Sequence, residues 1–348
     1  MRPALELDAD AARTSLGDMN STPTRRSLDS QTSRRGFIAT TASALGAASL
    51  GWTRAAAQAP AAQGGTKEKG IRVGMLTMPL QKEPFDQVLN MAKRCGLAAL
   101  EIVAHPGGKH IDPMTFGPTE AENIKKMLAE RGLEISSLSN YQNPMAPGKA
   151  EEFQNTLKKT IDAAVLLGVP VVCTNTGVPQ EKEKANKIAL LKKVTPKIFR
   201  PILDHAKEKG IKVAVENWFA TCLQGLDTFD CLFENIPDEH FGLNYDPSHL
   251  VHQQCDHLVP VAKFSKRLFH THAKDCLVDV QKRSYVGVLG NGWWRYVIPG
   301  YGDIKWGEYI SLLRDVGYKG VLSIEHEDRA FGPEDGFRHG ARYLNQFC

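Results

Sequence analysis

No CxxC pair occurs among the seven cysteines (Cys95, Cys173, Cys222, Cys231, Cys255, Cys276 and Cys348), and their number is odd. That leaves no paired-thiol metal or redox motif, and most of these thiols are expected in the core. Charge of either sign is also scarce as an excess. Residues 1–57 hold seven Lys/Arg and five Asp/Glu, leaving 36 basic against 34 acidic residues in the remainder. A near-neutral remainder gives no electrostatic case for nucleic acid or an anionic membrane as partner. No glycine-rich loop follows the first apolar run, which disfavours an open doubly wound sheet with a phosphate-binding turn. No dedicated phosphate cradle is visible elsewhere.

What is present begins with export. Ser33-Arg34-Arg35-Gly36-Phe37-Ile38 sets twin arginines ahead of a charge-free stretch from Gly36 to Thr53, and Ala55-Ala56-Ala57-Gln58 offers a small-x-small cleavage pattern. The combination resembles a bacterial twin-arginine signal. The stretch is Ala/Gly-rich and short of the roughly 20 apolar residues that span a bilayer. Residues 1–57 are thus expected to be a signal peptide of a periplasmic protein, with an uncleaved signal anchor as the alternative and no stable membrane insertion after cleavage. Residues 58–69 read as a flexible linker.

From Ile71 a short apolar or β-branched run, a polar loop and a stretch with apolar residues at three- and four-residue intervals recur. Strands are expected at Ile71–Thr77, Ala99–Val103, Ile135–Ser139, Val171–Asn175, Lys212–Glu216, Phe241–Asp246, Leu268–His272 and Gly320–Glu325. Helices are expected at Pro84–Cys95, Thr119–Arg131, Ala150–Leu167, Ala185–Lys209, Leu226–Asn235, Leu258–Phe264, Trp306–Val316 and Asp335–Phe347. Eight β-then-α units predict one (β/α)8 barrel over residues 70–348, and the about 290 residues that follow position 57 are a usual length for it. The unpatterned stretch Lys274–Lys305 is expected to be a long loop folding over the barrel mouth.

Four of the expected strands end on Glu216, Asp246, His272 and Glu325. Strand C-termini of such a barrel are where chemistry is done. Three carboxylates and an imidazole make a hard to borderline ligand set, suited to one divalent ion: Mn²⁺, Mg²⁺ or Co²⁺, and Zn²⁺ less strictly. A cation there stabilises the oxyanion that forms when a proton leaves carbon beside a carbonyl. Glu216 and Glu325, on separated strands, are the expected pair of catalytic acid/base groups. His249, three residues past Asp246, reads as a substrate hydrogen-bond donor or a ligand. His270 should face the same way as His272, one layer deeper, as a core or supporting histidine.

Val215-Glu216-Asn217, Asp246-Pro247-Ser248-His249, His270-Thr271-His272-Ala273-Lys274-Asp275, Pro299-Gly300-Tyr301-Gly302-Asp303-Ile304-Lys305-Trp306 and Ser323-Ile324-Glu325-His326 together resemble the xylose isomerase-like TIM barrels. Within them they are similar to the sugar phosphate isomerase/epimerase group, with its ketose 3-epimerases, hydroxypyruvate isomerase and inosose dehydratase. The resemblance covers nearly all of Ile71–Phe347. It implies that Glu216, Asp246, His272 and Glu325 hold the metal, that the two glutamates exchange the proton, and that His249 contacts substrate. It also implies a substrate contact for Glu101. His105 is a further candidate at the mouth. Ketose epimerases carry an arginine shortly after the strand-seven histidine; here Lys274 stands closest and Arg283 further along, which leaves the substrate open. The related DNA-repair barrels need extra histidines and a further carboxylate, where this chain has Glu101, Asn140 and Asn175.

Trp218, Trp293, Trp294, Tyr296, Tyr301 and Trp306 fall in or near mouth-side loops. Indoles stack on sugar C–H faces, so Trp218, Trp293 and Trp294 are candidate substrate contacts, the latter pair on a lid; Trp306 is expected to pack the start of its helix. The reading is a metal-dependent sugar isomerase or epimerase acting on a small carbohydrate, with a homo-oligomer as a possible assembly. A 3-keto-glycoside lyase or hydrolase and a non-catalytic carbohydrate-binding barrel are the alternatives.

Overall fold

The computed structural model describes residues 70–348; the signal and linker expectations lie outside them. Strands β1 (Arg72–Leu76), β2 (Ala99–Val103), β3 (Glu134–Ser139), β4 (Val171–Asn175), β5 (Lys212–Glu216), β6 (Phe241–Tyr245), β7 (Leu268–Ala273), β8 (Asp275–Val278), β9 (Trp294–Val297) and β10 (Val321–Ile324) follow in chain order. Eight of them, β1 to β7 and β10, close into a parallel barrel, with β10 between β1 and β7. The eight expected strands are these eight, within a residue or two at each end. The expected (β/α)8 TIM barrel is the fold.

Helices wrap the outside because their apolar stripes face the β-branched outer faces of the strands. The main apolar core lies in that shell, from Leu89 and Ile161 round to Phe229, Tyr309 and Phe337. The barrel's inside holds little apolar matter; Val171, Cys173 and Ala214 form a small separate cluster there. Left-handed backbone at Gly168 and Gly210 ends the helices Ala150–Leu167 and Thr195–Lys209, each before a short turn into a strand.

Two expectations need correction. The single helix expected over Ala185–Lys209 is two, Lys184–Lys193 and Thr195–Lys209, broken at Val194. Pro196 has no N–H for the carbonyl four residues back, so the ladder restarts with proline in the first turn. The stretch expected to be a loop, Lys274–Lys305, contains an antiparallel ribbon of β8 and β9, pairing Asp275 with Val297 and Val278 with Trp294, and a helix at Val280–Val286. The seven cysteines are all free, five of them buried. No helix among the described residues is long and apolar enough to cross a membrane.

Candidate metal centre

Strand alternation builds the site. His270, His272 and Lys274 are two residues apart and rise along one wall of the barrel, from its interior to its mouth; Ser323, Glu325 and Glu327 do the same next door. Ser323 pairs with His272, and the register puts Lys274 beside Glu325, with Nζ 2.6 Å from Oε2. Glu216 ends β5, and Asp246 follows β6 directly. One ligand atom from each of Glu216, Asp246, His272 and Glu325 lies within 4.8 Å of the others.

The donor atoms are arranged as a cation would need them. His272 Nδ1 is 3.2 Å from Glu325 Oε2, 3.5 Å from Glu216 Oε1 and 3.9 Å from Asp246 Oδ2. Asp246 Oδ1 accepts the Ser248 N–H at 2.8 Å, while its Oδ2 has no aligned hydrogen bond and meets only Lys274 Nζ at 3.2 Å and His249 Nε2 at 3.4 Å. His272 Nδ1 is buried without a hydrogen bond. Buried polar atoms are rarely left so. Lys274 Nζ is 3.2 Å from Asp246 Oδ2, and the ligand carboxylates outnumber this one ammonium, an excess of negative charge that favours a cation among them. Oxygen-rich ligands with one imidazole suit such an ion, so the residues present fit the implied metal.

Electrostatics point the same way. Burial and the charge of Glu325 push Glu216 upward, but His249 and His272, with ring nitrogens 3.4 and 3.5 Å from its Oε1, prevail and hold it at about 2. Burial opposes ionisation of Glu325 as well, yet Lys274 and His272 keep it well below the usual carboxylate range. His272 resists protonation through burial but is raised well above its usual value by Glu101 and Glu325. The concentration of negative charge that favours a proton on His272 also favours a cation.

The surrounding residues sort clearly. His249 Nε2 is 3.4 Å from both Glu216 Oε1 and Asp246 Oδ2, and its Nδ1 is 2.6 Å from the Tyr296 hydroxyl. Lys274 Nζ is 3.3 Å from His249 Nε2 and lies over the Tyr296 ring. Trp294 stacks on His252 with centroids 3.9 Å apart, and Phe219 meets both edge-on. Trp218 is exposed beside Phe219. A cavity of about 600 Å³ opens among Arg295, Tyr296, Glu327 and Arg329, next to Lys274.

Three sequence-derived candidates sit differently from expectation. Glu101 is fully buried, with its carboxylate engaged by Tyr141 and by His272 Nε2, the ring nitrogen opposite the one that meets the other ligands. Trp293 is buried with Arg283 over its ring; it neighbours Trp294 in β9, so alternation sends it to the opposite side. His105 turns back on its own loop, Nδ1 3.0 Å from the Pro106 carbonyl, and among the described residues it joins no ligand side chain.

Sequence reading passed over Tyr296 as a partner of His249, and over His252, Tyr141, Asn244 and Asp275. Asp275 accepts five hydrogen bonds, from the backbone of Cys276, Gly300, Gly302 and Ile304 and from the Trp306 indole at 2.9 Å. A carboxylate directly after the β7 wall and a glycine-spaced run ending in tryptophan were the available signal. Trp306 itself is buried at the start of its helix, as expected.

With this fold and site the chain belongs to the xylose isomerase-like TIM barrel family, whose model matches residues 89–347. An uncharacterized protein, YfiH of Bacillus subtilis (strain 168), is 26% identical over 312 residues, covering 79% of this chain and 99% of its own length. Inosose dehydratase of Geobacillus thermodenitrificans (strain NG80-2) is 24% identical over 281 residues, covering 76% of this chain and 90% of the relative. Among solved structures, a xylose isomerase-like TIM barrel protein from Mycobacterium smegmatis in complex with magnesium is 19% identical, with a TM-score of 0.62 over 80% of this chain and 96% of that one. The same fold is shared by sugar epimerases and by a probable 3-DHS dehydratase.

Proposed function

We propose that this protein is a divalent-metal-dependent sugar isomerase or epimerase that removes a proton from the carbon next to a carbonyl. The observation that carries the reading is the gathering of Glu216, Asp246, His272 and Glu325 within 4.8 Å, with His272 Nδ1 left without a hydrogen bond among them. These four residues would hold the ion, which when bound supplies the positive charge that stabilises an enediolate oxygen. Glu216 and Glu325 are both kept ionised, the state in which a carboxylate accepts a proton from carbon. They come from β5 and the end of β10, three positions apart in the barrel order, so one takes the proton from carbon. The carbon is reprotonated either by that same group or, on the opposite face, by the other glutamate once its neighbouring donor, His249 beside Glu216 or Lys274 beside Glu325, has given it a proton. His249 and Lys274 orient substrate oxygens above them, and the Trp294–His252 stack with Phe219 offers an apolar wall for sugar C–H bonds.

A second reading is elimination of a leaving group beside the carbonyl, as in a dehydratase or a 3-keto-glycoside lyase. Lys274, His249 and the Tyr296 hydroxyl form one contiguous set of proton donors against Glu325, which favours expulsion of an oxygen. The inosose dehydratase relative is in keeping with it.

The deciding experiment incubates Mn²⁺-loaded protein with a panel of keto-sugars and keto-polyols in D₂O. Deuterium entering at an α-carbon of an otherwise intact sugar supports isomerisation or epimerisation; release of water or aglycone supports elimination. EDTA should stop either. Glu216→Gln and Glu325→Gln should each slow exchange by about 10²–10⁴-fold, and full exchange in both variants would remove the glutamates from the proton transfer.

A further inference from the structure

We infer that Glu101 is a positioning residue for the metal centre: its buried carboxylate takes the Nε2 proton of His272 and so presents the Nδ1 lone pair to the ion held by Glu216, Asp246 and Glu325. This rests on the metal-dependent reading above and adds to it a residue that lies outside the four ligands.

A histidine can ligate through only one nitrogen at a time, and which one is set by the hydrogen bond the other makes. His272 Nε2 is 3.0 Å from Glu101 Oε2, both side chains fully buried. An ionised carboxylate only accepts, so the proton of the neutral ring sits on Nε2. Asn244 Nδ2 is also 3.0 Å from Nε2. Its amide orientation follows from His270 Nδ1, which donates to Asn244 Oδ1 at 3.0 Å. Asn244 Nδ2 then has an acceptor in the Tyr141 hydroxyl at 3.1 Å, and that hydroxyl donates to Glu101 Oε1 at 2.9 Å. The Nε2 proton of His272 and the Tyr141 hydroxyl proton thus fall on the two oxygens of the one carboxylate, which is engaged on both sides.

The same geometry accounts for a second close group, Glu101, Cys173 and His270, whose donor atoms also lie within 4.8 Å of one another. His270 spends Nδ1 on Asn244 and holds Nε2 3.0 Å from Ser136 Oγ, and Glu101 is engaged on both oxygens. The trio is a completed polar core.

The test measures Co²⁺ and Mn²⁺ affinity by calorimetry, with the visible Co²⁺ spectrum and the metal-free melting temperature read on the same samples. Glu101→Gln should weaken metal binding by about 10–100-fold and shift the Co²⁺ bands, with the metal-free melting temperature little changed. Tyr141→Phe keeps the carboxylate but removes its second donor, and should weaken binding by less, in the same direction. Affinity within twofold of wild type and unshifted bands in folded Glu101→Gln would overturn the inference. Should that variant not fold, unchanged affinity in Tyr141→Phe does so. If the wild type itself takes up neither ion, the metal reading and this one fall together; if it binds and the variants bind equally well, this one falls alone.

Discussion

Lys274 carries a full charge with 1% of its surface exposed. Burial works against its ammonium, but Asp246, Glu325 and Glu327 outweigh that and raise it well above the ordinary lysine range. Removing one partner of such a group leaves charge uncompensated, which costs far more than an exposed ion pair. Lys274→Met is expected to lower kcat/KM on the accepted substrate by about 10²-fold or more while Mn²⁺ uptake persists, because the ammonium is not a ligand. Undiminished turnover would place Lys274 outside the reaction. At the same scale, His252 is pushed down to about 3 by burial and by the charges of His249 and Lys274; it faces Phe219, Trp294 and the Tyr296 hydroxyl, 3.4 Å from its Nε2. Its folded value lies below the unfolded value near 6.5, so between these the unfolded chain binds more protons. Its contribution is therefore complete above about pH 6.5 and is lost as pH falls toward 3, by up to about 1.4 kcal/mol per unit. Urea denaturation of His252→Phe, which keeps the stack on Trp294, should show a shallower loss between pH 6.5 and 4.5 than wild type.

Among the elements, the segment from β8 to the helix Trp306–Asp315 is where structure adds most to the pattern of residues. Asp275 ties Cys276, Gly300, Gly302, Ile304 and the Trp306 indole to one carboxylate, and a Cβ at Gly302 would collide with it. Asp275 also begins β8, where it pairs with Val297, so the hub sits at the base of the ribbon that carries Trp294 and Tyr296. Asp275→Ala should cost about 3 kcal/mol or more, since several buried N–H groups lose an ionic acceptor, and Gly302→Ala should act in the same direction. Calorimetry would read this as roughly 2–4 °C per kcal/mol for a domain of this size. Unchanged melting in both would deny the hub its role. The ribbon escaped sequence reading for a physical reason: each strand has four residues, and their alternation is the ordinary one of a half-exposed surface. The Trp294/Tyr296 period was legible, but not the partner strand 16 or more positions away. Val194 is the converse case, where Pro196 was visible and the apolar period simply outweighed it.

For the whole molecule, a closed barrel brings residues from β2, β5, β6, β7 and β10 to one axis, and the same closure lets an ion be held at the mouth by groups from four strands. A barrel that folds around its proposed metal before transport would suit the twin-arginine export expected from Arg34 and Arg35. With both replaced by lysine, the protein should stay with the cytoplasmic fraction when cells are fractionated, whereas the unaltered chain should be found in the periplasm; export of the double variant would refute a twin-arginine route. By itself the sequence determined the eight-fold alternation, hence the barrel, and the strand ends on which Glu216, Asp246, His272 and Glu325 stand, because period and punctuation are local properties. Only the tertiary structure decided that Glu101 engages His272 Nε2, that Trp293 is buried while Trp294 stacks on His252, and that Lys274 pairs with Glu325. Those outcomes depend on register between strands far apart in the chain, where a shift of one residue turns every side chain to the other face.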